Sequence, residues 1–365
     1  MVRRLILAVV LVLWLPAAAL ANVTVTADYA VLIDGRTGQV LYEKKAHERR
    51  PPASTTKIMT AILALEHNDP EEKVMVSHRA SLVGEASIDL EKGESFRLID
   101  LVKGALIESG NDASVAIAEH VGGSEAAFLQ LMNKKARLVG ARDTHFVNTN
   151  GLPAEDHWST AYDLAMMARY ALRNPVFARI VATKETTIPR NGGWGYRLVN
   201  TNRLLWSYQW ADGVKTGTTD NAGACLVASA TKQGRQLISV VLHSDDRFGD
   251  SINLLEYGFL NFSPLIAARP GEVWKRVPVT DGEPAYVDAT PANMLEVVVP
   301  RWAKRRVRVE FALPESPRAP VQLGQKLGEL VVTIDGQELG RTDLVAVSSS
   351  QRQPAWRIWW HRLWD

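Results

Sequence analysis

Val214-Lys215-Thr216-Gly217-Thr218-Thr219, Gly223-Ala224-Cys225-Leu226-Val227-Ala228-Ser229-Ala230 and Gln236-Leu237-Ile238-Ser239-Val240-Val241-Leu242 follow one another along the chain. Their small and β-branched residues predict two buried strands, residues 214–230 and 236–242, joined by the turn Lys232-Gln233-Gly234-Arg235. Far upstream, residues 30–34 alternate, Gly35-Arg36-Thr37-Gly38 supplies a turn and residues 40–42 resume, which reads as a hairpin. Helical patterns lie between. Ser54 caps an apolar-periodic segment running to about residue 65, and residues 96–120 are helical with an interruption at Gly110-Asn111. Ser124 caps a helix ending at Gly140, Ser159 or Thr160 caps another to about residue 172, and residues 248–262 form a last helix. Strands, then helices, then strands imply one sheet completed by both ends of the domain. The expected fold over residues 22–266 is therefore α+β, a sheet with helices.

Beyond that point the pattern changes. Residues 267–271 read as a linker. Residues 271–347 hold short alternating segments, such as 295–299, 307–311 and 330–334, separated by Gly and Pro, which predicts a small all-β sandwich. Ser348-Ser349-Ser350 then tethers a tail, residues 348–365, that holds four of the eleven tryptophans. Trp356, Trp359, Trp360, Leu363 and Trp364 share one helical face, with Arg357, His361 and Arg362 on the other. This amphipathic tail is expected to bind a membrane surface. The alternative is a helix docked on the protein's own core. At the other end, Arg3 and Arg4 precede an apolar run and Ala19-Leu20-Ala21. Residues 1–21 thus read as a secretory signal peptide, shorter in its apolar run than the ~20 residues a membrane span needs, so the protein is expected to be exported.

Composition excludes more than it proposes. The 365 residues leave room for two domains. Lys and Arg total 42 against 40 Asp and Glu, a net charge of +2 that gives no reason to expect a nucleic-acid partner. A single cysteine, Cys225, rules out an internal disulfide and a Cys-based zinc cluster, and the eight histidines show no metal-ligand spacing. No cofactor is expected.

Three short elements carry chemistry. In Ser54-Thr55-Thr56-Lys57, residues three apart in a helix share a face, so the Lys57 amine can accept the Ser54 proton if burial and a nearby cation keep it neutral. About one or two chance Ser-x-x-Lys matches are expected in such a length, and Ser229-Ala230-Thr231-Lys232, at a strand end, is one. Ser109-Gly110-Asn111 follows at the helix break: a serine there can relay a proton to a leaving amine, and the asparagine can hold a substrate backbone. Lys215-Thr216-Gly217 opens a predicted strand. There the lysine and threonine can bind a carboxylate, and the glycine permits close approach of an extended peptide.

Taken in this order the elements resemble those of the low-molecular-mass penicillin-binding proteins, the D-alanyl-D-alanine carboxypeptidases of the penicillin-binding protein 5 type. Pro52-Ala53-Ser54-Thr55-Thr56-Lys57-Ile58-Met59-Thr60, Glu108-Ser109-Gly110-Asn111-Asp112-Ala113, Asn202-Arg203-Leu204-Leu205-Trp206 and Asp212-Gly213-Val214-Lys215-Thr216-Gly217-Thr218-Thr219 carry the likeness. It implies a β-lactamase/transpeptidase-like catalytic domain at the outer face of the cytoplasmic membrane, facing the cell wall or periplasm. Peptidoglycan stem peptides would be its substrates and β-lactam antibiotics its covalent inhibitors. Ser54 would be the acylated nucleophile, Lys57 its base and Ser109 the proton relay. Asn111, Lys215, Thr216, Gly217 and Thr218 would line the substrate, with the Ser54 and Thr218 amides as oxyanion hole. Arg247 would bind a carboxylate, and otherwise reads as a solvated loop charge. Asp163 matches a family aspartate but also suits a helix first turn.

Two departures stand out. Asn150 replaces a histidine of the best-known relative and is assigned no chemistry, and His243 replaces a usual glycine and reads as a packed histidine. Cys225 reads as a small core residue. A β-lactamase would need a water-activating glutamate, and no Glu-x-x-x-Asn lies between Ser109 and Lys215. A D,D-endopeptidase or a non-catalytic wall-binding module remain the other readings.

Overall fold

The computed structural model describes residues 23–190 and 195–357. The expected signal peptide and the tail residues Trp359, Trp360, His361, Arg362, Leu363 and Trp364 lie outside the described residues. Among the described residues no helix is long and apolar enough to cross a membrane.

A five-stranded antiparallel sheet frames the first domain. Its strands are β1 (Tyr29–Asp34), β2 (Val40–Lys44), β3 (Ala211–Thr219), β4 (Gly223–Lys232) and β5 (Arg235–Ser244), in the order β2-β1-β5-β4-β3. The N-terminal hairpin docks onto β5, with Val31 opposite Val240, so both ends of the domain do complete one sheet. The run 214–230, expected as one strand, is two. It reverses over Asp220-Asn221-Ala222, where Thr219 Oγ1 accepts from Ala222 N and Gly223 takes φ +66°. Polar turn formers inside an apolar run outweigh its continuity.

Both faces of this sheet are covered, which explains why all six residues of β1 are buried. Alternate side chains enter different cores. Val31, Ile33 and Val240 face the helical middle of the domain, whereas Leu32, Leu226 and Val241 face a single C-terminal helix. The helices longer than one turn are α1 (Lys57–His67), α2 (Leu98–Lys103), α3 (Asn111–Gly122), α4 (Glu125–Leu138), α5 (Ala161–Ala171), α6 (Pro175–Ala182) and α7 (Arg247–Asn261). Ser124 and Thr160 cap α4 and α5, accepting from Ala127 N and Asp163 N. Ser54 does not cap α1: it sits within a 3-10 turn, Ala53–Thr56, that leads into the helix. The helical stretch 96–120 is also less regular than its pattern. After α2 comes a π-helical turn, Gly104–Glu108, and the break falls at Ser109-Gly110.

The second domain is all-β. Its strands are β6 (Phe262–Ala268), β7 (Lys275–Pro278), β8 (Tyr286–Pro291), β9 (Leu295–Pro300), β10 (Val307–Ala312), β11 (Lys326–Ile334) and β12 (Gln337–Ala346). A five-stranded sheet, β7-β8-β12-β11-β10, and the pair β6-β9 enclose one core containing Val287, Leu330, Val332, Leu344, Val297 and Val299. β6 leaves α7 without a linker, and Ala268, in the stretch expected to be one, pairs with Leu295. The expected serine tether is likewise docked: Ser350 donates from N to Val321 O at 2.9 Å and from Oγ to Pro284 O at 2.6 Å. At the junction, the Gln39 carboxamide donates to Val298 O (2.7 Å) and accepts from Val298 N (2.9 Å), as a neighbouring strand would.

Gly258 is where α7 touches the sheet. A Cβ there would lie 2.6 Å from Leu237 Cδ1 and 2.8 Å from Leu32 Cδ2. Gly258→Val is expected to destabilise the domain by about 1–3 kcal/mol through overpacking, read as a lower Tm in thermal unfolding. An unchanged Tm would mean that the helix lifts off the sheet freely.

Candidate active site

Ser54 is positioned by a turn rather than by a cap. Thr55 Oγ1 donates to Pro52 O (2.6 Å) and Thr56 Oγ1 to Ala53 O (2.8 Å), which closes the turn around it. Ala53 takes φ +48°, in the left-handed region that costs a non-glycine residue of order 1–2 kcal/mol. A histidine fixes the turn from outside. Val147 N donates to His157 Nδ1, so His157 Nε2 carries the proton and donates to Thr56 Oγ1 at 2.9 Å. Burial lowers the His157 pKa to about 4, which keeps the ring neutral.

Lys57, one turn on, is fully buried. Its Nζ lies 2.9 Å from Ser54 Oγ, 2.7 Å from Asn111 Oδ1 and 2.7 Å from the Asn150 carbonyl. Asn111 Oδ1 and the carbonyl can only accept; the hydroxyl can also donate. A neutral amine has two N–H groups for the acceptors and one lone pair for the hydroxyl proton, so the surroundings match the uncharged form. Burial, followed by the neighbouring Lys215 charge, holds the Lys57 pKa well below the ordinary lysine value, against the opposing pull of Asp112 and Glu85.

The second element supplies the roof of this pocket. Asn111 Nδ2 donates to Gly84 O (3.0 Å) and its backbone N to Ala86 O (2.8 Å), so both ends of its amide are engaged while one Nδ2 hydrogen remains. Asp112 beside it accepts from Ser87 Oγ and from the backbone N of Ile88 and Leu90, tying down the same loop. Ser109 is nearly buried and adopts a left-handed conformation, φ +75°. No hydrogen bond ties its hydroxyl to Ser54 or Lys57 among the described residues.

The third element lies along β3, in mid-strand rather than at its opening. Gly217 backs onto the Ser54 turn. A Cβ there would lie 3.0 Å from Ser54 N and 3.1 Å from Pro52 O, so this turn itself approaches closely enough to favour glycine. Thr216 Oγ1 is 2.6 Å from Thr201 Oγ1. Lys215 is buried, and its Nζ donates to Thr216 O with no carboxylate partner among the described residues. Burial and the Arg247 charge lower its pKa to about 7. Arg247, the first residue of α7, is no solvated loop charge: Nη1 donates to Gly217 O (2.9 Å) and Thr218 Oγ1 (2.7 Å).

Other expectations separate. Ser229 Oγ donates to Asp212, and Lys232 lies 3.6 Å from Glu256, so the second Ser-x-x-Lys forms no dyad. Asp163 sits in the first turn of α5 and accepts from Asp143 N and Thr144 Oγ1. Cys225 is buried, and its thiol is pushed up to about 11 by that burial. His243 is not packed: it is exposed at φ +52° and pairs with Asp28 (2.7 Å), a left-handed position that explains the usual glycine. Sequence reasoning missed the Asn150 carbonyl, His157 and Gly151. A Cβ on Gly151, which takes φ +90°, would lie 1.9 Å from Ala53 O, and the Asn-Gly turn signal was its only trace. Among the described residues, no group of three or more His, Cys, Asp or Glu could hold a metal ion.

Residues 16–246 match the family described as D-alanyl-D-alanine carboxypeptidase, and residues 266–352 match the penicillin-binding protein 5 C-terminal domain. The chain is similar to D-alanyl-D-alanine carboxypeptidase DacF of Bacillus subtilis, at 37% identity over 88% of this chain and 85% of that one. It is similar to DacC of Escherichia coli, at 33% identity over 97% and 92% of the two chains. Its fold superposes on penicillin binding protein 5 from Haemophilus influenzae with a TM-score of 0.82 at 29% identity, covering 90% of this chain and 98% of the other. With the Ser-Lys pair and both domains accounted for, the chain belongs to the D-alanyl-D-alanine carboxypeptidase family of serine peptidases.

Proposed function

We propose that this enzyme removes the terminal D-alanine from peptidoglycan stem pentapeptides through an acyl-enzyme on Ser54. The observation that carries the reading is the set of partners around Lys57 Nζ, which suits a free amine facing a hydroxyl. Lys57 takes the Ser54 proton as Oγ attacks the penultimate carbonyl, and the amides of Ser54 and Thr218 receive the oxyanion. Ser109 passes the proton to the departing D-alanine amine, and water then releases the acyl group. Asn111 holds the substrate backbone through its remaining Nδ2 hydrogen. The terminal carboxylate completes Lys215 and Arg247, two cations without a carboxylate partner among the described residues, with Thr216 and Thr218 beside them. A β-lactam would acylate the same serine, but its leaving nitrogen stays tethered.

The reading extends to place. Residues 1–21 would direct export, and the Trp-rich tail would lie in the membrane interface. Trp356, at 61% exposure, is not docked on the core. The β-domain would hold the cleft away from the membrane, towards the wall.

Ser54→Ala is expected to lose both pentapeptide hydrolysis and covalent labelling by a fluorescent penicillin, while Ser229→Ala labels like the wild type. A Ser54→Ala protein that still labels would overturn the assignment. Arg247→Ala is expected to lower kcat/KM for a free-carboxylate peptide by roughly 10- to 100-fold, and β-lactam acylation far less. Equal losses would give the arginine another role.

The pH dependence has a defined sign. Lys57 must be neutral, so kcat/KM falls as pH drops through its lowered pKa. Lys215 must be charged, so carboxylate binding weakens as pH rises through about 7. Lys215→Arg keeps its charge at all working pH values, and the alkaline limb of kcat/KM should move upward. An unmoved limb would show that Lys215 does not set it.

A further inference from the structure

Four exposed large apolar side chains lie together at one end of the β-domain: Tyr286 is 55% exposed, Leu323 68%, Val347 39% and Trp356 61%. They come from separate segments held together by hydrogen bonds. Val347 N donates to Asp288 O, one step past the Ala346–Ala289 pair, so Val347 prolongs β12 alongside β8. Opposed residues of antiparallel strands share a face, as do residues two apart. Val347, Asp288 and Tyr286 therefore point outward, while Val287 and Ala289 point into the core. Leu323 N donates to Ser349 Oγ and Gly324 N to Ala346 O, which presses the tip of the 313–325 loop against the same strand. Trp356 arrives beside them, because Gln353 N donates to Asp281 O and Arg357 pairs with Glu283, both in the turn between β7 and β8.

This end is remote from the catalytic domain. Leu339–Arg341 line a groove with residues 36–39 of the first domain. Val347 lies six residues beyond Arg341, roughly 20 Å at the strand rise. Around the patch Arg276 pairs with Asp288 and Arg357 with Glu283, and the exposed Arg318 and Arg352 border the same turn, where they suit an anionic headgroup surface. Tyrosine, tryptophan and aliphatic tips flanked by arginines are the composition of a lipid headgroup boundary. The tail leaves from this very end, with Trp359, Trp360, Leu363 and Trp364 still to come.

We propose that the end of the β-domain is itself a membrane-contact surface, with Leu323, Val347 and Tyr286 entering the lipid interface beside the tail. The proposal rests on the interfacial reading of that tail and makes the attachment multipoint. A second contact of this kind fixes the domain's orientation, which a single contact would not.

The test compares the full chain with Tyr286→Ser/Leu323→Ser/Val347→Ser, tail intact, on vesicles of phosphatidylethanolamine and phosphatidylglycerol. Leu138→Ser, at a 72% exposed leucine of the catalytic domain, is the control. Hydrolysis of a soluble D-Ala-D-Ala peptide checks the fold and should be unchanged in all of them. The triple variant is expected to partition on the order of tenfold more weakly, and Leu138→Ser like the wild type. Equal binding by the triple variant would overturn the proposal and leave the tail as the whole attachment. Tighter binding would overturn it by showing that the patch is a dock for the tail. A dimer in sedimentation that the triple variant loses would assign the patch to a second copy and overturn it too. If the wild type itself fails to bind vesicles, the interfacial reading of the tail falls, and the proposal with it.

Discussion

An ammonium group buried without an anion is among the costliest arrangements a protein can hold, and Lys57 avoids that cost by giving up its proton. The rest of the catalytic domain maintains this condition. The side chain is covered by the Ser54 turn, the Asn111 amide and the Asn150 carbonyl, which leaves little hydration to stabilise its charged form. A second buried lysine on β3 adds repulsion, and its own pKa is lowered in turn by burial and by Arg247. The series Arg247, Lys215, Lys57 thus passes from a permanent cation to a free base within one cleft. A carboxylate ligand at the Lys215 end would hold that lysine in its charged form, while its own negative charge would offset part of the repulsion felt at Lys57.

The sheet makes this arrangement affordable. With cores on both faces, β3 and β4 are held rigidly, and Gly217 lets the Ser54 turn rest directly on the strand backbone. Ala53, Ser109 and Gly151 all take positive φ around Ser54, and the flanking hydrogen bonds of Thr55, Thr56, Asn148 and His157 hold that geometry in place. Strain and close packing at one spot are a common mark of a site whose geometry matters more than its local stability.

What the sequence disclosed follows the range of each interaction. Ser54 and Lys57 were legible because three residues along one helical turn fix their own spacing. The helix caps at Ser124 and Thr160 were legible for the same reason, and so was the hairpin docked on β5. Long-range partners were not. Nothing in a chain read by itself brings Asn150 or His157 to Ser54, since a carbonyl has no residue signature and an isolated histidine is most simply a packed one. The β3–β4 reversal was hidden because apolar residues continue on both sides of it. Gly217 was legible as a place of close approach, but not that the Ser54 turn is what rests on it. The serines 348–350 looked like a tether by composition, yet Ser350 is buried, because a hydroxyl with a carbonyl such as Pro284 O in reach docks as readily as it solvates.

The central claim is that Lys57 is a free base in the unliganded enzyme, and its own titration tests that most directly. Lysine Cε and Nζ resonances followed by NMR against pH, with Lys57→Arg to assign the signal, report the protonation state without any substrate. The account predicts that Lys57 loses its proton well below the pH at which an ordinary lysine does. A Lys57 that keeps its charge up to about 10.4, the value of a free lysine, would contradict it.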